Sequence, residues 1–155
     1  FKTKEEVFAT LFLQESESWF SIVEPKLRRL RTPSASRVAK VLADALREQE
    51  RFCRLTAVLA LVLERNMSVD FVRDFKVELN SNLGQVVGAL RTALPDMTEE
   101  SGIVFLYQHQ SLIAGLWPLT HPSPEVAEVL AEEEFQGMQV DFFELFQQTI
   151  ERLIG

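Results

Sequence analysis

Apolar residues in this chain recur every three or four positions, in long stretches separated by short breaks rich in Pro, Ser and Asn. That spacing is the signature of α-helices laid against a core. It predicts a first helix from Lys4 to about Arg29, with Phe8, Leu11, Phe12, Trp19, Ile22 and Val23 on its stripe. Thr3 stands as its N-cap, and Glu6 is placed to complete a capping box. After the break at Thr32-Pro33-Ser34, Ser34 or Ser36 caps a second helix whose stripe is Val38, Val41, Leu42, Ala45 and Leu46. A third helix, about Glu50 to Glu64, carries LTAVLALVL and is expected to be covered on all sides. Asn66 is a candidate left-handed stop, Ser68 the next cap, and Met67 with Val72 a hydrophobic staple. The fourth helix runs from Val69 to about Leu94, with Val72, Phe75, Leu79, Leu83, Val86, Val87 and Leu90 inward. Gly84 and Gly88 fall on one face of it, which suggests close approach, a bend or room for something bulky. Thr98 caps a fifth helix that should stop at Pro118. Ser123 and Pro124 open a short sixth helix to about Ala131, and an acidic loop, Glu132 to Gln139, leads to a last helix capped by Asp141. No strand pattern and no repeat is visible. The fold class is therefore all-α, a bundle of about six to seven helices in one domain spanning residues 1–155.

Composition sharpens that picture in three places. At 155 residues the chain can bury roughly 70% of its unfolded surface, so a sizeable core is available. Twelve Phe against one Tyr imply a dry, aromatic interior and room for a lipophilic pocket. A formal charge of −7 repels a phosphate backbone, which argues against nucleic-acid binding by this chain itself. The single Cys53 excludes an internal disulfide framework and, with no apolar run of membrane-spanning length, points to a cytoplasmic protein with no membrane partner.

Catalytic chemistry is poorly represented. His109 and His121 are the only histidines, and neither sits in a metal-ligand spacing. Cys53 lies on an apolar helix and reads as a small buried hydrophobe. No phosphate loop is present, so neither an enzyme nor a cofactor or metal is called for. The cations Lys26, Arg28, Arg29 and Arg31 match the negative end of the first helix. Two features are less ordinary. Glu15 interrupts the apolar stripe of the first helix, either as a half-exposed edge residue or as an acid facing a cavity. Tyr107 and Gln110 align with Ile103, Leu106, Ile113 and Trp117, which suits either a pocket with polar tips or satisfied core groups. On the other side of the fifth helix, Val104, Gln108, Ser111, Leu112 and Gly115 leave room for a second backbone. With Phe142, Phe146, Thr149, Ile150 and Leu153 of the last helix they predict an isologous homodimer interface, the alternative being that both helices pack within one chain.

Three segments carry a resemblance: FKTKEEVF at the start, LERNMSVDFVRDFK between the third and fourth helices, and GLWPLTHPSPEVAEVL after the fifth. In order and spacing they resemble the C-terminal regulatory domain of TetR-family transcriptional repressors. The resemblance covers essentially the whole chain. It implies that a helix-turn-helix DNA-binding domain precedes Phe1 in the complete regulator, so that operator DNA is a partner only through that domain. It also implies a homodimer whose DNA-binding competence shifts when a hydrophobic small-molecule effector enters a pocket among the helices. Glu15 and Trp19 facing Tyr107 and Gln110 are then the expected sensing positions. Phe52, Thr56, Phe75 and Leu79 would be walls, and Phe12, Ile113 and Trp117 complete the candidate set. The alternative is a standalone helical carrier of a lipophilic molecule using the same pocket.

Overall fold

The computed structural model describes residues 2–62 and 66–155, and for Ala60 and Val62 it describes the backbone alone. Phe1 and the expected end of the third helix at Glu64 lie outside the described residues. Among the described residues seven α-helices follow in order: α1 Lys4–Arg28, α2 Ala35–Leu46, α3 Glu50–Val62, α4 Val69–Ala93, α5 Glu99–Thr120, α6 Pro124–Leu130 and α7 Phe142–Ile154. The fold is all-α, with no strand among the described residues.

Local chemistry sets the starts. Thr3, Ser34, Ser68, Thr98, Ser123 and Asp141 each accept a backbone amide three residues on, satisfying a donor that the first turn leaves free. The reciprocal half of the first capping box does not form. Glu6 Oε2 accepts the amide of Lys2 at 2.7 Å instead of reaching Thr3. The reciprocal box belongs to α5, where Ser101 returns a bond to Thr98.

Other expectations need correction. Pro118 does not end α5, which continues to Thr120. Proline removes one donor, but the turn around it is held by Thr120 Oγ1 to the Leu116 carbonyl at 2.8 Å and the His121 amide to the Trp117 carbonyl at 3.0 Å. The acidic loop contains a short 3-10 helical segment, Glu133–Met138. Asn66 takes no left-handed conformation; its side chain reaches Glu5 Oε1 at 3.5 Å. The third helix is not covered on every side, since Leu61 is 76% exposed and Val58 is also exposed. Gly84 and Gly88 are exposed with open space around them, so close approach within the chain does not explain them. The close approach occurs at Gly102, where a Cβ would stand 2.8 Å from Val87 Cγ1.

Packing divides the helices into two groups. α1, α3, α5 and α4 form a closed ring in which α1 packs on α3, α3 on α5, α5 on α4 and α4 on α1. Among the described residues neither diagonal pair brings its backbones close, so the centre of the ring is left to side chains, with Trp19 of α1 meeting His109 of α5 across it. α2 and α7 pack on each other outside the ring, and α1 and α5 join them to it. α6 and the 3-10 segment pack mainly on each other and bury no residue.

The phenylalanines form a row through both groups. Phe12, Phe52, Trp19, His109, Phe146, Phe142 and Trp117 follow one another with ring centroids 5.0 to 5.8 Å apart. Each such contact adds roughly 0.5–1.5 kcal/mol beyond simple burial. The row runs from α1 and α3 through α5 to α7. It turns the Phe-rich face of α7 inward, with Phe142, Phe146 and Ile150 at 2% exposure or less. These three positions, expected at a subunit interface, are thus taken up by the chain's own core.

Candidate ligand-binding site

Beside the aromatic side chains that fill the centre of the helix ring lie two adjoining spaces. The larger is a groove of about 560 Å³ between α3, α4 and α5, bordered by Met67 of the α3–α4 connection. Thr56, Leu59, Val72, Phe75, Leu79, Leu83, Leu106 and Ala114 supply its largely apolar wall, with Lys76, Tyr107, Gln110 and Ser111 as polar members. That volume lies within the range of small-molecule sites. The smaller is an inner crevice of about 40 Å³ that reaches α1 through Phe12, Ser16, Trp19 and Phe20. Leu79, Leu83, Leu106 and Gln110 line both, so the two spaces adjoin across α4 and α5.

Why the groove stays open follows from the residues of α4. Its stripe splits along its length: Phe75, Val86, Val87 and Leu90 are buried, whereas Val72, Leu79 and Leu83 are only half covered. Across from them Thr56 is buried but satisfies its hydroxyl on the Phe52 carbonyl at 2.7 Å, leaving its methyl side to the groove. The stacked rings of Phe12, Phe52 and Trp19 fill the space between α1 and α3 at the inner end.

The crevice carries a polar anomaly. Among the described residues four buried side-chain polar atoms have no hydrogen-bond partner, and three belong to residues lining this crevice: Trp19 Nε1, Asn82 Nδ2 and His109 Nε2. An unpaired buried donor or acceptor costs about 1–3 kcal/mol; the three nitrogens are nonetheless closed off from the crevice itself, whose surface is almost wholly apolar. Burial pushes the His109 imidazolium down to about 4, so the ring is neutral at pH 7. Trp19 and His109 rings stand 5.1 Å apart, 5% and 3% exposed.

The structure distributes the expected site residues unevenly. Phe12, Trp19, Phe52, Thr56, Phe75, Leu79, Tyr107 and Gln110 all line the groove or the crevice. Tyr107 is 66% exposed and stands at the mouth, because the inward face of α5 is Phe105, Leu106, His109, Ile113 and Trp117. Glu15 lines neither space; its carboxylate receives Arg51 Nη1 at 3.0 Å, tying α1 to α3 at the surface. Ile113 is fully buried, and Trp117 stacks on His121 with centroids 3.7 Å apart, so both serve the core. His109 and Asn82 are lining residues without an expected role, and Leu83 and Leu106, expected only as inward stripe positions, line both spaces. The signal for Asn82 was its place between Leu79 and Val86, and for His109 its four-residue spacing from Phe105 and Ile113.

A family model described as the tetracyclin repressor-like C-terminal domain matches residues 13–155. The chain belongs to this family. No curated protein matches the sequence. The family match covers α2 to α7 and the part of α1 that carries Trp19, so every wall of the groove and crevice except Phe12 lies within the matched region of this TetR-like domain. No helix among the described residues is long and apolar enough to cross a membrane.

Proposed function

We propose that this TetR-like domain is the effector-binding and dimerisation part of a transcriptional repressor in the cytoplasm, reading a lipophilic small molecule and acting on operator DNA through a separate DNA-binding domain. The observation that supports it most is the apolar groove and the adjoining crevice that α1 walls. A ligand seated there touches Phe12, Ser16, Trp19 and Phe20 on four successive inward positions of that helix. α1 is the lever: a rigid rod of 25 residues transmits a shift at Trp19 to its own N-terminus. For regulation the ligand must bind two arrangements of α1 unequally, since equal affinity shifts no population. A regulatory reading also fits the side chains of the pocket, which bind and orient but include no paired acid and base or activated nucleophile among those described.

The test is ligand-dependent stabilisation. A panel of hydrophobic metabolites and drugs should contain compounds that raise the melting temperature, as mass action requires of anything that binds the native state. Ala114→Trp places an indole in the groove from a half-exposed position, and should abolish that shift while the variant keeps its helical spectrum. Retained stabilisation in Ala114→Trp would move the site elsewhere.

A further inference from the structure

Resting on the effector-pocket reading above, we propose that the ligand is an amphipathic acid, with an aliphatic tail in the groove and a carboxylate that meets Lys76 at its rim. Among the described residues lining the groove, Lys76 is the one charged group. Its ammonium stands 5.8 Å from the centroid of the Phe75 ring, and that ring is itself a wall of the groove, so the charge is held where a ligand head can reach it. Lys76 is exposed and joins none of the ion pairs formed among the described residues. Asp74 and Glu78 stand two positions to either side, which turns them to other faces of α4. An ammonium donates and never accepts, and its bond to an ionised oxygen is the stronger kind.

This charge runs against the rest of the surface. The chain carries −7 overall, and two further recesses hold acids and no cation: Asp96 and Glu100 in one, Glu132, Glu133 and Glu134 in the other. Salt screens charges beyond about 8 Å at physiological strength, so at the rim of the groove the local ammonium outweighs distant acids. Because Lys76 is exposed, a carboxylate beside it keeps part of its water and escapes the penalty of full burial. The tail follows from the wall. Val72, Lys76, Leu79 and Leu83 recur along α4 at three- and four-residue spacing, which puts the cation in line with aliphatic side chains over about 16 Å. Leu59, Met67 and Leu106 continue that aliphatic lining, which suits a flexible chain.

Decanoate, 1-decanol and decylammonium share one tail and differ in the charge of the head. Each is titrated by equilibrium dialysis at pH 7, below micelle formation, against this chain and against Lys76→Met and Lys76→Arg. Comparing each probe with itself cancels the differences in partition between probes. Lys76→Met should weaken decanoate about fivefold or more, leave decanol within about twofold and tighten decylammonium, as expected for an ion pair at the favourable end of exposed ones. Lys76→Arg keeps the charge and should retain decanoate. Ala114→Trp, which fills the groove, should remove binding of all three. Equal changes for decanoate and decanol in Lys76→Met would overturn the acid head and leave the groove standing. Decanoate binding that survives Ala114→Trp would overturn this proposal together with the effector-pocket reading. Binding by none of the three up to their solubility would overturn the amphipathic acid, and the stabilisation panel above then decides the pocket by itself.

Discussion

At the scale of single residues the informative groups are those that composition treats as ordinary. Cys53 is fully buried and its thiol is pushed up to about 12 by desolvation, so it behaves as the small hydrophobe its helix position implies. His109 is the opposite case. A lone histidine on an apolar face reads as a satisfied core group, yet its Nε2 has no partner, and satisfaction depends on tertiary neighbours that spacing does not reveal. Its titration gives a test. In the unfolded chain a histidine takes its proton near 6.5, and in the folded protein near 4, so between those values the unfolded state binds more protons. Stability is therefore complete above about 6.5 and falls as pH drops toward 4, by on the order of 3 kcal/mol at the lower end. Glu5, held below the usual carboxylate range first by its backbone hydrogen bond, and Asp44, held down first by Lys40, also lose stability in acid. Their loss begins only as the unfolded carboxylates protonate near 4.5 and below. Urea titrations at pH 7 and pH 5 should then show a clear drop in unfolding free energy that His109→Phe flattens. An unchanged slope in that variant would place the buried titrating group elsewhere.

At the scale of elements most boundaries were legible because they are local. A hydroxyl or carboxylate accepting an amide three residues on needs nothing from the rest of the fold, and all six described caps sit where the pattern puts them. What the pattern misjudged was which edge of each stripe faces inward. Phe8 and Ile103 fall on apolar stripes and yet are exposed, since a stripe is wider than the strip a neighbouring helix covers. The glycines show the same limit from the other side. Spacing made Gly84 and Gly88 conspicuous, but the contact lies at Gly102, against the buried Val87. The three should respond differently to alanine. Gly84→Ala and Gly88→Ala put a methyl into open space on an exposed helix face and should each stabilise by about 0.5–1 kcal/mol. Gly102→Ala would gain the same propensity but drive a methyl onto a β-branched, rotamer-locked neighbour, an overpacking cost of about 1–3 kcal/mol. Thermal or urea unfolding of the three variants checks the sign, and a stabilised Gly102→Ala would mean that α4 and α5 yield at their crossing.

At the scale of the whole molecule the helix count and all-α class were readable, but the ring of α1, α3, α5 and α4 was not, because which helices close on one another is decided by side-chain volumes summed over the entire chain. The ring leaves α5 with two unlike faces. Its inner face completes the pocket through Leu106, His109 and Gln110, while Val104, Gln108 and Gly115 are exposed away from it and Ser111, also exposed, stands at the groove's rim. Close by in the chain, Leu119 is 74% exposed, and Val126, Val129, Met138 and Val140 add apolar surface on a segment that buries nothing of its own. With Phe142, Phe146 and Ile150 turned inward, only Thr149 and Leu153 of the five expected interface positions on α7 are left to face a second subunit. The dimer we propose is thus centred on α5, with small side chains at Ser111 and Gly115 setting how near a partner helix comes. Gly115→Leu isolates that claim. A Cβ at Gly115 meets nothing within 4 Å in the chain, and Leu is a better helix former than Gly, so the monomer itself should tolerate or favour the change. A partner helix lying over the glycine would not. Sedimentation velocity should therefore show the variant shifted toward monomer while its helical signal is preserved or strengthened. A Gly115→Leu protein that sediments as the unaltered dimer would move the interface off this face of α5, and with it the path by which a ligand at Gln110, one turn away on the same helix, is felt by the second subunit.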